Sequence, residues 1–196
     1  MVMDFWEYQK IKLLIRSFKS RGFQIRFPGG TSLDGKINSV VLATRINSHN
    51  KIFFIVVPYD PASKLVNKIL NKKENEKSLA LRKLREETGM IASSDDLKLI
   101  GKIEIPNNLL KDGSMHTKYF FLLEKFEGKL IELENSSMLR RETSTPFFVP
   151  GVLLSQTIFN RHLLPLRYAI NYVKHRIDEK EFNTIIREID KRTTKK

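Results

Sequence analysis

Hydrophobic positions recur with a helical period in several parts of the chain, and each such part predicts a helix. Apolar side chains follow this spacing from about Asp4 to Ser20. A second helix is predicted from about Glu76 to Thr88, where Gly89 stands in the C-terminal cap position. The period returns near Val152 and continues, with breaks, to Val173. These segments predict three helical regions around the rest of the chain.

The last segment, from Asp178 to Lys196, is highly charged but carries apolar residues along one side. It predicts a surface helix that frays from Lys191 onward. The apolar residues on that side are Phe182, Ile185, Ile186 and Ile189.

Strands are predicted where β-branched and aromatic residues cluster between turn-forming residues. Val40 to Arg45 and Ile52 to Val57 are separated by a short polar loop, which predicts a β-hairpin. Phe23 to Phe27 resembles a short strand that precedes a turn at Pro28-Gly29-Gly30, and Pro58 is expected to end the sheet. Further strands are predicted at Leu97 to Ile105, Thr117 to Leu123, Lys129 to Leu133 and Phe147 to Val149.

The order of these elements indicates one mixed α/β domain, of the α+β kind, with additions at both ends. The predicted division is an N-terminal helix and strand extension over residues 1–35, a central domain over 36–175, and a charged helical tail over 176–196. No internal repeat or low-complexity linker interrupts this order.

The composition excludes several classes of protein. The hydrophobic fraction of 41% and the aromatic fraction of 10% are typical of a folded chain rather than a disordered one. The longest apolar run, around Ile52 to Val57, is far shorter than the roughly 20 residues that a transmembrane helix needs. The absence of cysteine excludes disulfides and thiolate chemistry. With no apolar leader at the N-terminus, the composition favours a cytoplasmic protein that does not bind membranes.

The net charge of +13 comes from 35 Lys and Arg residues against 22 Asp and Glu residues. Such a surplus attracts anions, and the charge alone leaves nucleotides, RNA, DNA or another polyanion open as partners. Charge governs association rather than fold, so it does not choose among them.

The helix predicted at 76–88 carries the clearest candidate chemistry. Successive residues turn by about 100° on a helix, so Glu86 and Glu87 share one side with position 83, while Leu84 and Thr88 face the core. Two adjacent outward carboxylates are a natural site for Mg²⁺ or Mn²⁺, which prefer oxygen ligands and bridge phosphates. The alternative is a set of exposed Arg–Glu pairs that stabilise the helix slightly and hold no ligand.

The segment around this helix resembles the signature of the Nudix superfamily: Gly, five residues, Glu, seven residues, Arg-Glu, an aliphatic, any residue, Glu-Glu, any residue, Gly, an aliphatic. With the last Gly laid on Gly89, seven of the nine specified positions match without a gap. The resemblance spans roughly 37–173 and implies a Nudix-like α/β/α sandwich with a mixed sheet and a loop–helix–loop site. The matching residues are Glu74, Arg82, Leu84, Glu86, Glu87, Gly89 and Met90.

Two positions depart from the signature. Lys68 stands where the family has its first Gly, and Lys83 stands where the family has the Glu of Arg-Glu. An ammonium at position 83 would neutralise Glu86 and Glu87 and repel a divalent ion. The other possibility is that Lys83 extends into solvent while a loop carboxylate replaces the missing ligand.

The resemblance implies a metal-dependent hydrolase that cleaves the pyrophosphate bond of a nucleoside diphosphate linked to another group. Glu86, Glu87 and Glu74 would then be the metal ligands, and Glu74 would also support the helix. Arg82 would pair with a nearby Glu, and Arg82 and Lys83 would face the substrate. A further catalytic carboxylate is expected from a loop, with Glu142 as the first candidate.

Two alternatives to hydrolysis remain open from the sequence. Lys83, Lys68 and the net charge favour a catalytically degenerate Nudix domain that binds nucleotide or RNA, or acts as a scaffold. The N-terminal helix, with Trp6 and Phe18, is a candidate contact for a homodimer or a partner. Glu132 and Glu134 are the weaker candidates for the loop carboxylate.

Overall fold

The computed structural model describes residues 3–32, 34–62, 74–106, 114–131 and 144–194. Within these ranges the chain folds into a seven-stranded mixed sheet with helices on both faces, which confirms the predicted mixed α+β class. None of the helices in these ranges has the length and apolar character needed to cross a membrane.

The sheet contains one parallel pair among antiparallel ones, in the order β1-β4-β3-β6-β5. Strands β3 and β6 run parallel, whereas β3 and β4 form the predicted hairpin. Strand β2 pairs with β3, and β7 pairs with β4. The strands are β1 (Gln24–Arg26), β2 (Gly29–Thr31), β3 (Ile37–Ile46), β4 (Ile52–Tyr59), β5 (Leu97–Pro106), β6 (Met115–Leu123) and β7 (Phe147–Pro150).

Five α-helices lie in the described ranges, and their starts follow local capping signals. Asp4 and Glu7 form a capping box at the first helix, since each side chain accepts a hydrogen bond from the other residue's backbone N–H. The helices are α1 (Phe5–Ser20), α2 (Glu76–Thr88), α3 (Gly151–Thr157), α4 (Leu163–Val173) and α5 (Glu179–Thr193), with 3₁₀ turns at Ser94–Asp96 and Asn160–His162.

Alternate residues of the sheet belong to two hydrophobic clusters, one on each face. On β3, Val40 and Leu42 join the larger cluster, which includes residues of α1, α3, α4 and α5. Val41 and Ala43 join the smaller cluster, which includes Leu84 of α2. Helix α2 therefore lies on the face of the sheet opposite to the terminal helices.

The segment Gln24–Thr31 bridges the arms of the hairpin. Strands β3 and β4 pair only near their loop, over Thr44–Ile46, while β1 pairs with the end of β4 and β2 with the start of β3. The predicted turn at Pro28-Gly29-Gly30 is therefore wrong, because Gly29 and Gly30 pair with Val40 and Ser39 as strand residues. A Cβ at Gly29 would overlap the Ser39 carbonyl oxygen, so glycine permits this close approach.

Three other boundaries differ from the sequence expectations. Pro58 does not end the sheet, because β4 continues to Tyr59 and Pro58 pairs with Ile25. Lys129–Ile131 is not a strand; the Ile131 amide instead donates to the Thr88 carbonyl at the end of α2. Helix α5 remains helical to Thr193 rather than fraying at Lys191.

The terminal elements are packed into the larger cluster. Ile15 and Phe18 of α1 and Ile185 and Ile189 of α5 are all buried. Phe18 therefore belongs to the core rather than to a partner surface, whereas Trp6 is 71% exposed. The boundaries predicted for the three parts of the chain remain a prediction.

Candidate functional site

Helix α2 has the predicted bounds, and local chemistry fixes both of its ends. The Asn75 side chain accepts a hydrogen bond from the Ser78 amide at 2.8 Å. Gly89 has a φ of 79°, and its amide donates to the Arg85 carbonyl. The residues of the signature are thereby held on one regular helix and its flanks.

Arg82 joins two of the predicted metal ligands. Its Nε and Nη2 donate to the two Glu74 carboxylate oxygens at 2.8 Å each. Its Nη1 donates to both oxygens of Glu86 at 3.1 Å. These hydrogen bonds raise the pKa of Arg82 above its ordinary value, and the hydrogen bonds that it donates to Glu74 contribute most. Arg82 therefore pairs with a nearby Glu, as expected, and its hydrogen bonds engage the carboxylates of both Glu74 and Glu86.

Glu87 is turned away from Glu86, into the protein. It is only 6% exposed, and its Oε2 accepts a hydrogen bond from the Gly29 amide of β2 at 3.0 Å. Its Oε1 lies 3.6 Å from Arg26 Nη2. The expectation that Glu86 and Glu87 both point outward is therefore wrong. Strand β2 lies alongside the helix and binds the Glu87 carboxylate through the Gly29 amide, whereas the Glu86 side chain stays 49% exposed.

Lys83 folds back over the same region instead of extending into solvent. Its Nζ lies 3.6 Å from Glu86 Oε2, and its side chain is 22% exposed. A Cβ at Gly30 would come within 2.9 Å of Lys83 Cε, so the lysine stem lies directly against β2. Lys83 thus occupies the space beside Glu86.

The three signature carboxylates are already paired with cations in this arrangement. Glu74, Glu86 and Glu87 each contact a cationic side chain. Among the residues that the structure describes, no three acidic or histidine side chains are grouped to hold a metal ion. Lys68 and the loop candidates Glu132, Glu134 and Glu142 lie outside the described residues.

A cationic cavity of about 410 Å³ is lined in part by Val40, which belongs to the cluster on the face of the sheet opposite α2. Three cations from separate parts of the chain line it: Arg26 of β1, Lys118 of β6 and Arg161 of the second 3₁₀ turn. No acidic residue and no residue of α2 is among its described lining residues. The others are Gln24, Phe27, Gly29, Gly30, Asn38, Val40, Tyr59, Phe159 and His162.

Arg26 connects this cavity to Glu87. Its guanidinium carbon lies 3.6 Å from the centre of the Tyr59 ring, a cation–π contact that fixes the side chain. Its Nε is buried and has no hydrogen-bond partner among the described residues. A buried donor without an acceptor is costly, so the Arg26 side chain is held in this position at some cost in stability.

Lys118 is the most perturbed of the three cations. Burial, reinforced by the neighbouring charges of Arg161 and Arg26, lowers its pKa to about 8. An anion placed among these groups would relieve their mutual repulsion and hold the lysine proton. The site is therefore electrostatically prepared for negative charge.

His162 is buried at the wall of the cavity in its neutral form. Its Nδ1 accepts a hydrogen bond from the Phe27 amide at 3.1 Å, so the ring proton is on Nε2. Burial, followed by the charges of Lys118 and Arg26, holds the pKa of His162 well below its ordinary value. The ring adds a neutral N–H donor to the cationic wall.

Comparisons with known proteins give a loose structural likeness and no match in sequence. No protein-family model matches the chain, and no curated protein matches it in sequence. The E. coli ORF135 protein is 17% identical with a TM-score of 0.43, over 71% of this chain and 91% of that one. A MutT/nudix family protein from Enterococcus faecalis is 13% identical with a TM-score of 0.41, over 59% of this chain and 43% of that one.

The C. elegans Ap4A hydrolase is 12% identical with a TM-score of 0.40, over 69% of this chain and 96% of that one. Likenesses at these identities and TM-scores concern only the general course of the chain.

The cationic residues of the cavity were not predicted from the sequence. Arg26, Lys118 and Arg161 are far apart along the chain and belong to no shared motif. The available signal was a basic residue inside each of two apolar strand segments, Phe23–Phe27 and Thr117–Leu123. A charge inside a strand is usually a solvated face, so the pattern alone does not indicate a site.

Proposed function

We propose that this chain is a Nudix-like domain that binds a phosphate-bearing ligand without a divalent metal and does not hydrolyse it. The observation that carries the proposal is the separation of two sets of charges across β2. On the side of α2, Glu74 and Glu86 contact Arg82 and Lys83, and Arg26 reaches from the cavity to within 3.6 Å of Glu87. On the other side the cationic cavity has no acidic lining residue among those described.

The absence of hydrolysis follows from Lys83 and the ion pairs. To accept a metal ion, Glu86 would have to leave both Arg82 and Lys83, and an ammonium would remain beside the ion. Glu87 would have to leave the Gly29 amide and its buried position. A desolvated charge without a partner costs several kcal/mol, so moving the buried Glu87 opposes metal binding strongly, whereas the half-exposed ion pairs of Glu86 oppose it only weakly.

Binding of phosphate follows from the donors in the cavity. Arginine and lysine side chains form charge-assisted hydrogen bonds to phosphate oxygens, and arginine does so through two parallel N–H groups. Arg26 is held by its contact with the Tyr59 ring, so little of its side-chain entropy is lost on binding. A cavity of about 410 Å³ suits a small nucleotide-type or other phosphate ester rather than a nucleic acid strand.

Calorimetric titration with methyl diphosphate tests the proposal. We expect binding that a chelator of divalent ions leaves unchanged, and a loss of about tenfold or more in affinity for Lys118→Met, since hydrogen bonds to charged groups contribute roughly 1.5–3 kcal/mol. Lys102→Met is the matched control, because Lys102 is an exposed lysine of the neighbouring strand β5 outside the cavity. Chelator-sensitive binding, or equal losses in the two variants, would contradict the proposal.

The same titration has a predicted pH dependence. Lys118 loses its proton as the pH rises through about 8, while the charge of methyl diphosphate changes little above pH ~7. The affinity should therefore fall as the pH rises through 8 in the native protein. Lys118→Met should bind more weakly and lose this step. A step retained in the variant would assign the titration to another group.

Metal-dependent hydrolysis is the second candidate. Seven of the nine signature positions match, all except those that Lys68 and Lys83 occupy, and Glu86 is partly exposed. A hydrolysis assay over a nucleotide panel with Mg²⁺ and Mn²⁺ separates the two functions. We expect an inactive native protein, and activity gained by Lys83→Glu would identify a Nudix scaffold in which this lysine prevents catalysis. Native activity that Glu87→Gln abolishes would instead establish a working hydrolase.

A further inference from the structure

A second cavity, of about 580 Å³, adjoins the cationic cavity. It lies between β5 and the helices α4 and α5, and six of its eleven described lining residues are apolar, which makes it less polar than the cationic cavity. We call it the aliphatic cavity. Its described lining residues are Ile103, Ile105, Pro106, Lys118, Asn160, Arg161, Leu163, Leu164, Arg167, Ile189 and Thr193.

The two cavities share Lys118 and Arg161. The strand register explains why, because Lys118 of β6 lies beside Asn38 of β3 on one side and Ile103 of β5 on the other. Asn38 lines the cationic cavity and Ile103 lines the aliphatic cavity. A ligand whose charged end meets Lys118 therefore has an apolar space next to that end.

We propose that the ligand is a diphosphate ester of an aliphatic group, with the diphosphate in the cationic cavity and the hydrocarbon in the aliphatic cavity. This inference rests on the proposed function, since it assumes that the cationic cavity binds phosphate. It names the class of ligand from the space next to the charges.

The lining of the aliphatic cavity favours a hydrocarbon over a nucleobase. Base recognition relies on stacking against aromatic rings, and no described residue of this cavity carries one. Its one basic side chain outside the shared pair, Arg167, is engaged by Asp190 at 2.5 Å. Leu164 is 41% exposed, so a hydrocarbon placed against it would remove apolar surface of both partners from water.

Three probes with the same diphosphate group distinguish the possibilities by calorimetric titration: methyl diphosphate, octyl diphosphate and ADP. Each methylene that becomes buried should strengthen binding by roughly fourfold. We therefore expect octyl diphosphate to bind at least about tenfold more tightly than methyl diphosphate, and more tightly than ADP.

Variants of the aliphatic cavity check where the hydrocarbon binds. Ile105→Thr keeps a β-branched residue in β5, and Leu164→Gln changes a side chain that is already 41% exposed, so both should fold. Each should reduce the ratio of the octyl to the methyl affinity by about fourfold or more. Leu99→Thr is the control, because Leu99 is an exposed residue of β5 outside the cavity, and it should leave the ratio unchanged.

The outcomes separate this inference from the proposed function. If no probe binds, the proposed function fails. Two outcomes would contradict the aliphatic ligand and leave phosphate binding in the cationic cavity intact. In the first, methyl diphosphate binds but the octyl chain adds no affinity. In the second, ADP binds most tightly and Ile105→Thr does not alter the ratio of the octyl to the methyl affinity. A ratio that falls equally in Leu99→Thr would show that the hydrocarbon binds elsewhere on the surface.

Discussion

At the scale of single residues, the neutral state of His162 depends on its burial. The ring accepts from the Phe27 amide and lies close to the charges of Lys118 and Arg26, so a proton on Nδ1 would cost that hydrogen bond and add a like charge. The unfolded chain carries no such restraint, and there the histidine titrates at about 6.5. Protonation therefore favours the unfolded chain.

This difference predicts a loss of stability in acid. Because the pKa of His162 is lower in the folded protein, the unfolded chain binds an additional proton as the pH falls below about 6.5, and the free energy of unfolding should fall by up to roughly 1.4 kcal/mol per pH unit. His162→Asn keeps an acceptor for the Phe27 amide without titrating, so urea unfolding at several pH values should show a shallower slope. His175→Asn, at an exposed position, should keep the native slope.

At the scale of secondary-structure elements, α5 is fastened to the end of α3 by Arg192. Its Nη1 donates to the Ser155 carbonyl at 2.7 Å. Its Nη2 donates to the Ile158 carbonyl at 2.5 Å and to Asn160 Oδ1 at 2.6 Å. The guanidinium thereby satisfies carbonyls at a helix end that have no intrahelical partner.

Replacing this guanidinium should destabilise the fold. Arg192→Met keeps much of the stem but leaves the Ser155 and Ile158 carbonyls without their donor, so the free energy of unfolding should fall by about 1–3 kcal/mol. Chemical denaturation followed by circular dichroism measures the change. Arg187→Met, on the exposed side of the same helix, should change it by less than about 0.5 kcal/mol. Similar losses for both arginines would mean that the contacts to α3 contribute nothing measurable.

At the scale of the whole molecule, one cluster of buried side chains joins both ends of the chain to the sheet. Ile15 of α1 and Ile185 of α5 belong to the same cluster as Phe54 and Leu122 of the central strands. When one element leaves a packed core, the side chains that it contacted lose their packing as well. The terminal helices should therefore unfold together with the sheet.

Calorimetry should therefore show one cooperative unfolding transition. Ile15→Ala and Ile185→Ala should each lower the free energy of unfolding by about 2–5 kcal/mol, and each should move the entire transition to lower temperature. Leu13→Ala, on the exposed side of α1, should have little effect. A separate early transition in Ile15→Ala would indicate that the N-terminal part is an independent unit. A sheet that unfolds at its native temperature after α1 has melted would indicate the same.

The sequence predicted the elements whose signals are local. Apolar spacing predicted α1, and Gly89 predicted the end of α2, because a left-handed glycine acts on the nearest turn of backbone. The β3–β4 hairpin followed from two β-branched runs around a polar loop. The signature residues were identified by their spacing, and the resemblance to the signature implied the pairing of Arg82, which the structure shows with Glu74 and Glu86.

Only the tertiary structure decided what these residues can do. The sequence placed Glu86 and Glu87 on one side of α2, but β2 beside the helix turned Glu87 inward and brought Lys83 against Gly30. Gly29-Gly30 became a strand because its partner is Ser39–Val40, a pairing that local turn tendency does not reveal. Arg26, Lys118 and Arg161 met in one cavity because sheet order and helix packing bring together residues that are distant in sequence. Spacing determines which side chains share a helix or strand, whereas contacts between elements determine which charges are neutralised and which are left for a ligand.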